Sequence, residues 1–396
     1  MENKYYDVVI IGGGSGGISV AARLLKAEPK LSVAIIEPSD KHYYQPLWTL
    51  VGAGAASLSD SLKKEEDLIP KRAVWIKDYA CSFVPEKNKV IARERGAISY
   101  QYLVVCPGMQ TDWDKISGLK ETLGENSVCS NYSEKYVEKT WQFLQEFKAG
   151  KAIFTFPNTP IKCAGAPQKI MYLAEDYLSK KGIRDQSQII FASAGDKIFG
   201  IEKYAKPLRK IIEDRKIQTR FRHNLVAVNG PKKIATFEEL ESGNKVEIAF
   251  DFLHVSPPMS APDFIKTSPL ADDHGWVNVD PKTLQHKKFS NIFGLGDASS
   301  LPTSKTGAAI RKQAPVLSAQ LLAHRRKQKC DLIYNGYTSC PLVTGYGKLI
   351  LAEFDYDKNP CETFPFDQSK ERYSMYLLKK YLLPYFYWYG MLKGRA

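Results

Sequence analysis

Two cysteines, Cys163 and Cys340, lie in sequence contexts that favour reactive thiols. Cys163 follows Lys162 and precedes a helical pattern of apolar residues that also contains Lys169. A neighbouring lysine and a helix N-terminus both favour the thiolate, which is the nucleophilic form of cysteine. Cys340 is followed by a proline, so we expect it in a turn with its sulfur exposed. These residues predict thiol redox chemistry. Lys162 is the nearest sequence neighbour that could lower the pKa of Cys163, and Lys169 is expected one to two helical turns further on.

The other five cysteines add no metal or disulfide motif. Seven cysteines is an odd number, and no CxxC pair occurs in the chain. We therefore predict no metal site and a reducing compartment. Four of the five are expected to be small core residues: Cys81, Cys106, Cys330 and Cys361.

A glycine-rich turn near the N-terminus predicts a dinucleotide site. It follows an apolar strand over residues 5–11, opens a helical pattern and fits G-x-G-x-x-G at Gly12, Gly14 and Gly17, and Gly13 is expected to contact the cofactor as well. A second apolar strand ends at Glu37. Such glycines let the backbone approach a pyrophosphate, the helix N-terminus attracts the phosphates, and the carboxylate binds a ribose hydroxyl. Glu37 also argues against a 2′-phosphate, which would meet like charge.

Two further motifs indicate FAD rather than NAD. Residues 102–108 run from an apolar strand to Gly108, and residues 291–297 run from another strand to Asp297. With the N-terminal turn they resemble, in the same order, the FAD motifs of flavoproteins with two dinucleotide-binding domains. That resemblance implies that Asp297 binds the ribityl chain of FAD.

A second nucleotide-binding fold is expected near the middle of the chain, without NAD(P)H. Residues 187–192 are predicted as its first strand, and the turn after them, residues 193–196, lacks the glycine motif. Without those glycines the backbone stays too far from a pyrophosphate. The pattern argues against pyridine-nucleotide disulfide reductases and against NADH:quinone reductases.

The segments around the two cysteines, residues 161–169 and 338–346, resemble those of sulfide:quinone oxidoreductases, most closely the mitochondrial type and its bacterial relatives. The resemblance covers essentially the whole chain. It implies that Cys163 and Cys340 form a disulfide, or a trisulfide with one bridging sulfur, beside FAD. Hydrosulfide would leave a persulfide on Cys340, and Cys163 would pass two electrons to the flavin. Some family members carry a third functional cysteine in the region of Cys129.

The same resemblance implies the partners and further contacts. The electron acceptor is a membrane quinone, and the sulfane sulfur goes to a small acceptor such as sulfite, glutathione, coenzyme A or polysulfide. Residues expected at FAD are Gln45, Ala80, Lys305, Thr306, Gly307 and Ala308. Residues expected near substrate or quinone are Lys162, Lys169, Tyr337, Phe366, Tyr376 and Lys379.

The C-terminal composition predicts a segment that lies on a membrane surface. Residues 381–392 are apolar or aromatic without a charge, which is too short for a bilayer span of about 20 residues. Tyrosine and tryptophan with flanking lysines suit the membrane interface. The alternatives are a helix packed on the protein's own core, or a dimer contact. The formal charge of +13 fits an anionic lipid surface, and no basic run with interleaved aromatics indicates nucleic acid.

The sequence thus predicts an α/β protein of two Rossmann-like domains, with the FAD domain split in sequence, plus a C-terminal amphipathic, membrane-associated helical segment. The predicted divisions are residues 1–110, 111–285 with Cys163, 286–364 with Cys340, and 365–396. We expect a homo-oligomer without a signal peptide, peripheral on a bacterial cell membrane or on the mitochondrial inner membrane of a eukaryote. The alternatives are a flavocytochrome-type sulfide dehydrogenase, an NADH:quinone reductase-like flavoprotein and a non-catalytic flavin-binding scaffold.

Overall fold

A computed structural model describes residues 5–395, and its first part is built around the N-terminal strand. The β-branched and aliphatic side chains of this strand are mostly buried, as expected for a central strand of a parallel sheet. The elements of this part are β1 (Tyr5–Ile11), α1 (Ser15–Ala27), β2 (Val33–Ile36), β3 (Lys41–Tyr43), α2 (Trp48–Val51), β4 (Leu62–Lys64), β5 (Ala73–Ile76), β6 (Ala80–Val84), β7 (Lys89–Ala92), β8 (Gly96–Val105) and β9 (Gln110–Thr111).

The middle of the chain forms a second α/β unit. Its elements are α3 (Leu119–Thr122), β10 (Val128–Cys129), α4 (Val137–Glu146), β11 (Gly150–Phe156), α5 (Ala166–Lys180), β12 (Ser187–Ser193), α6 (Glu202–Asp214), β13 (Gln218–Phe221), β14 (His223–Asn229), β15 (Ile234–Glu239), β16 (Lys245–Ala249), β17 (Phe252–His254), β18 (Met259–Ser260) and α7 (Asp263–Lys266). The rest of the chain gives β19 (Ile292–Gly294), α8 (Gly307–Arg325), β20 (Thr338–Gly345), β21 (Lys348–Phe354), α9 (Tyr373–Leu377), a π-helical turn (Leu378–Leu382) and α10 (Leu383–Tyr389).

The first sheet joins two distant parts of the chain. Its order is β5-β2-β1-β8-β7-β6, and β19 pairs in parallel with the C-terminal half of β8. The chain therefore leaves this sheet after β8 and returns to it at β19. This arrangement confirms the predicted α/β fold with a Rossmann-like sheet, and it brings Asp297, just after β19, to the same edge as the glycine turn after β1.

The second sheet corrects one strand assignment. Its order is β10-β17-β11-β12-β13, and all its pairings are parallel. Residues 187–192 do form a strand, β12, but β10 and β11 precede it in the chain, and β11 lies at the centre of the sheet. The connection from this central strand to the helix α5 is the loop 157–165, which carries Cys163 and contains a single glycine, Gly165.

Core packing also differs from the predicted division at residue 285. Residues after β18 pack in the core of the first sheet, among them Ile265, Leu270 and Val277. The strands β9 and β18 pair with each other where the chain passes between the two sheets. The packing therefore places the end of the middle unit near residue 260.

The C-terminal segment has one face on the protein and one face in solvent. Tyr387, Trp388 and Leu392 are buried in the same core as the second sheet. The opposite side exposes large hydrophobic residues: Tyr373, Leu377, Tyr381, Leu382, Tyr385, Phe386 and Tyr389. Within residues 5–395, no helix combines the length and the apolar composition required to cross a membrane.

Candidate functional site

The glycine turn after β1 has the geometry of a dinucleotide cradle. Gly12 has a φ of +99°, and a Cβ on Gly17 would lie 1.9 Å from the Gly12 carbonyl oxygen. Only glycine fits both positions. Glu37, at the end of β2, accepts a 2.8 Å hydrogen bond from the Gly13 backbone N–H. Burial raises the pKa of this carboxyl above its usual value. The predicted ribose-binding carboxylate thus lies directly against the turn.

A group of partly buried charges lies where the Cys163 loop meets the start of α8. Burial raises the pKa of Asp297, whereas Lys305 and Lys162 act in the opposite direction. Burial also disfavours the charged form of Lys305, which lowers the pKa of this lysine to about 8. The Lys305 Nζ donates to the Ser299 carbonyl at 2.9 Å and lies 4.1 Å from the centre of the Trp276 ring. Lys162 therefore acts as a counter-charge to Asp297, a role that its position beside Cys163 in the sequence did not suggest.

The N-terminus of α8 holds both cysteine segments together. Lys162 pairs with Lys305 in a parallel β-bridge, which fixes the Cys163 loop beside α8. Thr306 caps α8, since its Oγ1 accepts from the Ala309 N–H at 3.1 Å, and this oxygen also lies 2.8 Å from the Thr338 Oγ1 at the start of β20. Cys340 follows two residues later. A nineteen-residue helix thus points its positive end at the place where the two segments meet.

The thiols of Cys163 and Cys340 interact directly. Their contact, together with the charges of Lys169 and Lys379, holds the pKa of Cys163 well below its usual value. The Lys169 Nζ lies 3.2 Å from the Cys163 Sγ. The same contact and burial raise the pKa of Cys340 well above its usual value, although the Gly165 N–H at the start of α5 opposes that shift. One sulfur is thereby prepared as a thiolate and the other as a thiol.

Two expectations about the cysteines are corrected. Cys340 is not in an exposed turn: it is a fully buried residue of the strand β20, where Pro341 is tolerated within a two-stranded sheet. The lysine in contact with Cys163 is Lys169 and not its sequence neighbour Lys162. Cys163 has a φ of +86°, and the turn made there directs the chain into α5, which carries Lys169.

The remaining cysteines occupy varied surroundings. Cys129 is fully buried in β10, and burial raises the pKa of its thiol to about 12, which favours the unreactive form. Cys106 is a core residue as expected, but Cys81 is exposed on β6. Cys330 and Cys361 are partly buried.

The other predicted residues fall into two groups. Lys379 is buried in the π-helical turn, and its Nζ donates to the Pro46 carbonyl at 3.0 Å, next to Gln45. Tyr376 and Phe366 belong to the same apolar core as Cys340, whereas Tyr337 packs in the core of the first sheet. The Tyr337 hydroxyl donates to the buried carboxylate of Glu353, a contact that holds the β20–β21 hairpin.

The cofactor-side predictions occupy the edge of the first sheet. Gly108, with a φ of +78°, follows β8, and Ala80 begins β6. Gly307 and Ala308 form the first turn of α8. A cleft of about 390 Å³ lies beside the Cys163 loop. Its walls include Pro160, Ile161, Ala164, Trp276, Lys305 and Phe354.

Comparisons with known proteins agree with this geometry. Residues 6–140 match the family described as pyridine nucleotide-disulphide oxidoreductase. The mitochondrial sulfide:quinone oxidoreductase of Mus musculus is 51% identical, over 99% of this chain and 87% of that protein. The protein of the same name from Dictyostelium discoideum is 52% identical, over 98% and 86% respectively. The chain belongs to the sulfide:quinone oxidoreductase family.

A solved structure of this family has the same fold. The sulfide:quinone oxidoreductase of the hyperthermophilic bacterium Aquifex aeolicus superposes with a TM-score of 0.85 over 99% of this chain and 92% of that chain. Its sequence is 21% identical, so this likeness concerns the fold alone.

FAD fits the residues of this family member. Three features define its place: the glycine turn with Glu37, the partly buried Asp297, and the N-terminus of α8. The glycine turn allows the backbone to approach the dinucleotide closely, Asp297 supplies a carboxylate for its hydroxyl groups, and α8 supplies the positive end of a helix. The protein is an FAD-dependent oxidoreductase.

The sequence did not predict a role for three residues: His42, Glu65 and Tyr387. Their side chains form a buried chain next to the glycine turn. Contacts that join residues 42 and 387 have no local sequence signal, because only the fold brings them together.

Proposed function

We propose that this protein oxidises hydrosulfide at the Cys163–Cys340 pair and delivers two electrons through FAD to a membrane quinone. The observation that carries the proposal is the direct contact of the two thiols beside Lys169 and Lys379, at the N-terminus of α8. The two cysteines come from different sheets and lie far apart in the chain. Their convergence at the FAD edge fits a redox pair better than two independent core residues.

The environment of each sulfur supports a division of roles. In the oxidised pair, hydrosulfide attacks the Cys340 sulfur, the S–S bond breaks, and Cys163 leaves as a thiolate that Lys169 and Lys379 stabilise. Cys340 then carries the persulfide. A small acceptor such as sulfite takes the sulfane sulfur, and the second thiolate forms on Cys340. Re-formation of the disulfide releases two electrons. Bound FAD supplies the two-electron acceptor between this pair and the quinone.

The quinone and the acceptor are proposed to arrive from different sides. A quinone resides in the lipid phase, and the exposed apolar face of the C-terminal segment lies on the far side of the helices that carry Tyr376 and Lys379. This segment is proposed to rest on the membrane surface. The cleft beside the Cys163 loop is proposed as a separate approach for hydrosulfide and for sulfite, glutathione, coenzyme A or polysulfide. Assembly as a homo-oligomer also remains our proposal.

The structure of the second sheet disfavours NADH as the electron donor. The position of the phosphate-binding turn, after β11, is taken by the loop with Cys163. The turn after β12 is closed by its own contacts: Gly195 N–H donates to the Ser193 Oγ, and the Gly195 carbonyl accepts from Arg222 N–H. We propose that the middle unit, ending near residue 260, presents Cys163 instead of binding a nucleotide.

An anaerobic half-reaction experiment tests the function. Sulfide added to the FAD-loaded protein should bleach the flavin spectrum, and a soluble quinone analogue should restore it with one quinone consumed per sulfide. The reaction should depend on a sulfane acceptor for repeated turnover. If sulfide leaves the flavin oxidised while NADH bleaches it, the proposed function is wrong.

A further inference from the structure

A buried chain of hydrogen bonds connects the C-terminal segment to the dinucleotide turn. The Tyr387 hydroxyl lies 2.5 Å from the His42 Nε2 and 2.7 Å from the Ser15 Oγ. On the other side of the imidazole, the His42 Nδ1 lies 2.9 Å from the Glu65 Oε2. His42, Glu65 and Tyr387 are each at least 95% buried. Ser15 is the first residue of α1, so this series of hydrogen bonds ends at the helix that opens the FAD site.

These hydrogen bonds connect four side chains in series. A carboxylate accepts, so the His42 Nδ1–H donates to Glu65, and the His42 Nε2 shares the next hydrogen bond with the Tyr387 hydroxyl. The Tyr387 hydroxyl is also hydrogen-bonded to the Ser15 hydroxyl. The Ser15 side chain is thereby committed to the C-terminal segment, and a phosphate at the start of α1 is left to the backbone N–H groups.

Glu65 also faces the turn itself. A Cβ on Gly13 would lie 2.3 Å from the Glu65 Oε1, so this carboxylate rests against the Gly13 backbone. The Glu65 Oε1 is buried and has no hydrogen-bond partner within residues 5–395. A buried carboxylate oxygen requires a donor. The sugar hydroxyls of FAD are donors, and the glycine turn brings FAD to this position.

Further contacts fix α10 to the two-stranded sheet of β3 and β4. His42 and Lys63 face each other in the β3–β4 pair. The Lys63 Nζ donates to the Tyr389 hydroxyl at 3.3 Å and lies 5.0 Å from the Trp388 ring centre. The Tyr44 ring packs 4.5 Å from the Tyr387 ring. The β3–β4 sheet that carries His42 is thus the docking site of α10.

We propose that Glu65, His42 and Tyr387 are positioning residues for FAD that make the C-terminal segment part of the cofactor site. Docked α10 holds Glu65 and Ser15 in the geometry that binds FAD, and bound FAD holds α10 in place. The two effects are equal in free energy, because coupling between two equilibria is reciprocal. The proposal rests on the FAD assignment and is independent of the sulfide chemistry.

The test measures FAD release from the holoenzyme, without sulfide or quinone, as the rise in fluorescence of freed FAD after dilution. Tyr387→Phe and His42→Gln should each release FAD about tenfold faster, as expected when a buried hydrogen-bond partner is lost. The double variant should release it no faster than about the worse single variant, because the residues act as one chain. The matched control is Tyr385→Phe on the exposed side of α10, which should match the wild type.

A second measurement follows the C-terminal segment directly. In limited trypsin digestion, excess FAD should slow cleavage at the C-terminal lysines of the wild type and of Tyr385→Phe, and should protect Tyr387→Phe much less. The proposal is refuted if both Tyr387→Phe and His42→Gln release FAD at the wild-type rate. It is also refuted if excess FAD does not change the rate of trypsin cleavage in the wild type. If FAD and α10 stabilise each other as expected but the wild-type protein does not reduce quinone with sulfide, the proposed function is wrong and this inference stands.

Discussion

The contact between Cys163 and Cys340 affects the two thiols in opposite directions. Lys169 and Lys379 favour the thiolate of Cys163, while burial in β20 keeps Cys340 protonated. A disulfide opened by a nucleophile leaves its electron pair on the sulfur that better holds a negative charge. This asymmetry is the physical basis for placing the persulfide on Cys340.

Replacement of Cys163 by serine should abolish quinone reduction by sulfide, because no disulfide can then form. Cys340→Ser should have the same effect on turnover. The measurement is the steady-state rate of quinone reduction at equal FAD content. Cys81→Ser, at an exposed thiol on β6, is the matched control and should keep the wild-type rate. A Cys163→Ser protein that turns over at near the wild-type rate would refute the pairing.

Removal of the charge of Lys169 should make Cys163 less reactive at neutral pH. In Lys169→Met, the pKa of the Cys163 thiol should rise, because the positive charge that stabilises the thiolate is lost. The pH profile of alkylation of Cys163 by iodoacetamide, recorded on the reduced protein, should move to higher pH accordingly. Lys180→Met, at an exposed position of the same helix, should leave the profile in place. An unmoved profile in Lys169→Met would show that this lysine does not act on the thiol.

The sequence identified both reactive cysteines, since each lies in a distinctive local segment. It offered Lys162 as the nearest activating charge and Lys169 as a second candidate one to two helical turns further on, because sequence distance was the only guide. The left-handed backbone at Cys163 separates these neighbours, and the first turns of α5 return Lys169 to the sulfur. The link from Tyr387 to His42 left no trace in the sequence, because its partners come from opposite ends of the chain.

At the scale of elements, the π-helical turn places the buried side chain of Lys379 near Cys163 and Cys340. Burial lowers the pKa of Lys379 to about 7, with the charge of Lys169 acting in the same direction. In the unfolded chain a lysine titrates near 10.4. Between these values the unfolded state binds more protons, so the free energy of unfolding should rise with pH from about 7 towards 10.

Lys379→Met should remove this pH dependence. Urea unfolding of the reduced protein at a series of pH values should show the wild type gaining up to about 1.4 kcal/mol per pH unit relative to the variant. Lys380→Met, one residue later and less buried, should follow the wild-type curve. Parallel curves for wild type and Lys379→Met would contradict the assigned shift.

The exposed face of the C-terminal segment should bind lipid. Tyr381 and Tyr385 are 61% and 63% exposed, and burial of an aromatic side chain contributes roughly 1.5–3 kcal/mol. The double variant Tyr381→Ser/Tyr385→Ser should therefore sediment at least about tenfold less with vesicles that contain anionic lipid, with unchanged FAD content. Tyr79→Ser, at an exposed tyrosine outside the segment, is the control and should still sediment. Full retention of the double variant on vesicles would exclude this face as the anchor.

The two faces of this segment correspond to the two interpretations that its sequence allowed. Its aromatic residues predicted a surface for the membrane interface, and packing on the protein's own core was the alternative. The helices divide the aromatics between the two faces, with Trp388 and Leu392 in the core. Deletion of the whole segment would therefore disturb the fold, and point variants on the exposed face separate the two roles.

At the scale of the whole molecule, the two sheets present different chemistry at corresponding edges. The first sheet offers glycines to a dinucleotide, and the second offers Cys163 in the equivalent connection after its central strand. NADH should therefore fail to reduce the bound flavin at micromolar concentration, while sulfide reduces it rapidly. Stopped-flow absorbance of the flavin distinguishes the two donors. Rapid bleaching by NADH would show that the second sheet binds a nucleotide after all.

The fold class was predictable because parallel strands, glycine turns and helices follow one another with regular spacing. The central strand of the second sheet was missed, since β11 is followed by prolines and a cysteine instead of glycines. The end of the middle unit was placed too late, because residues 261–285 contain few regular elements and only their packing assigns them to the first sheet.

The left-handed backbone of Cys163 has a consequence for how this protein can evolve. A side chain at a φ of +86° carries a strain of about 1–3 kcal/mol that glycine would not. Cysteine and glycine codons differ by one nucleotide. In a gene copy that is not under selection for sulfide oxidation, a single nucleotide change can therefore give a protein that is more stable but has no catalytic activity. Thermal robustness in a relative with glycine at this position would mark the loss of the enzyme and not its improvement.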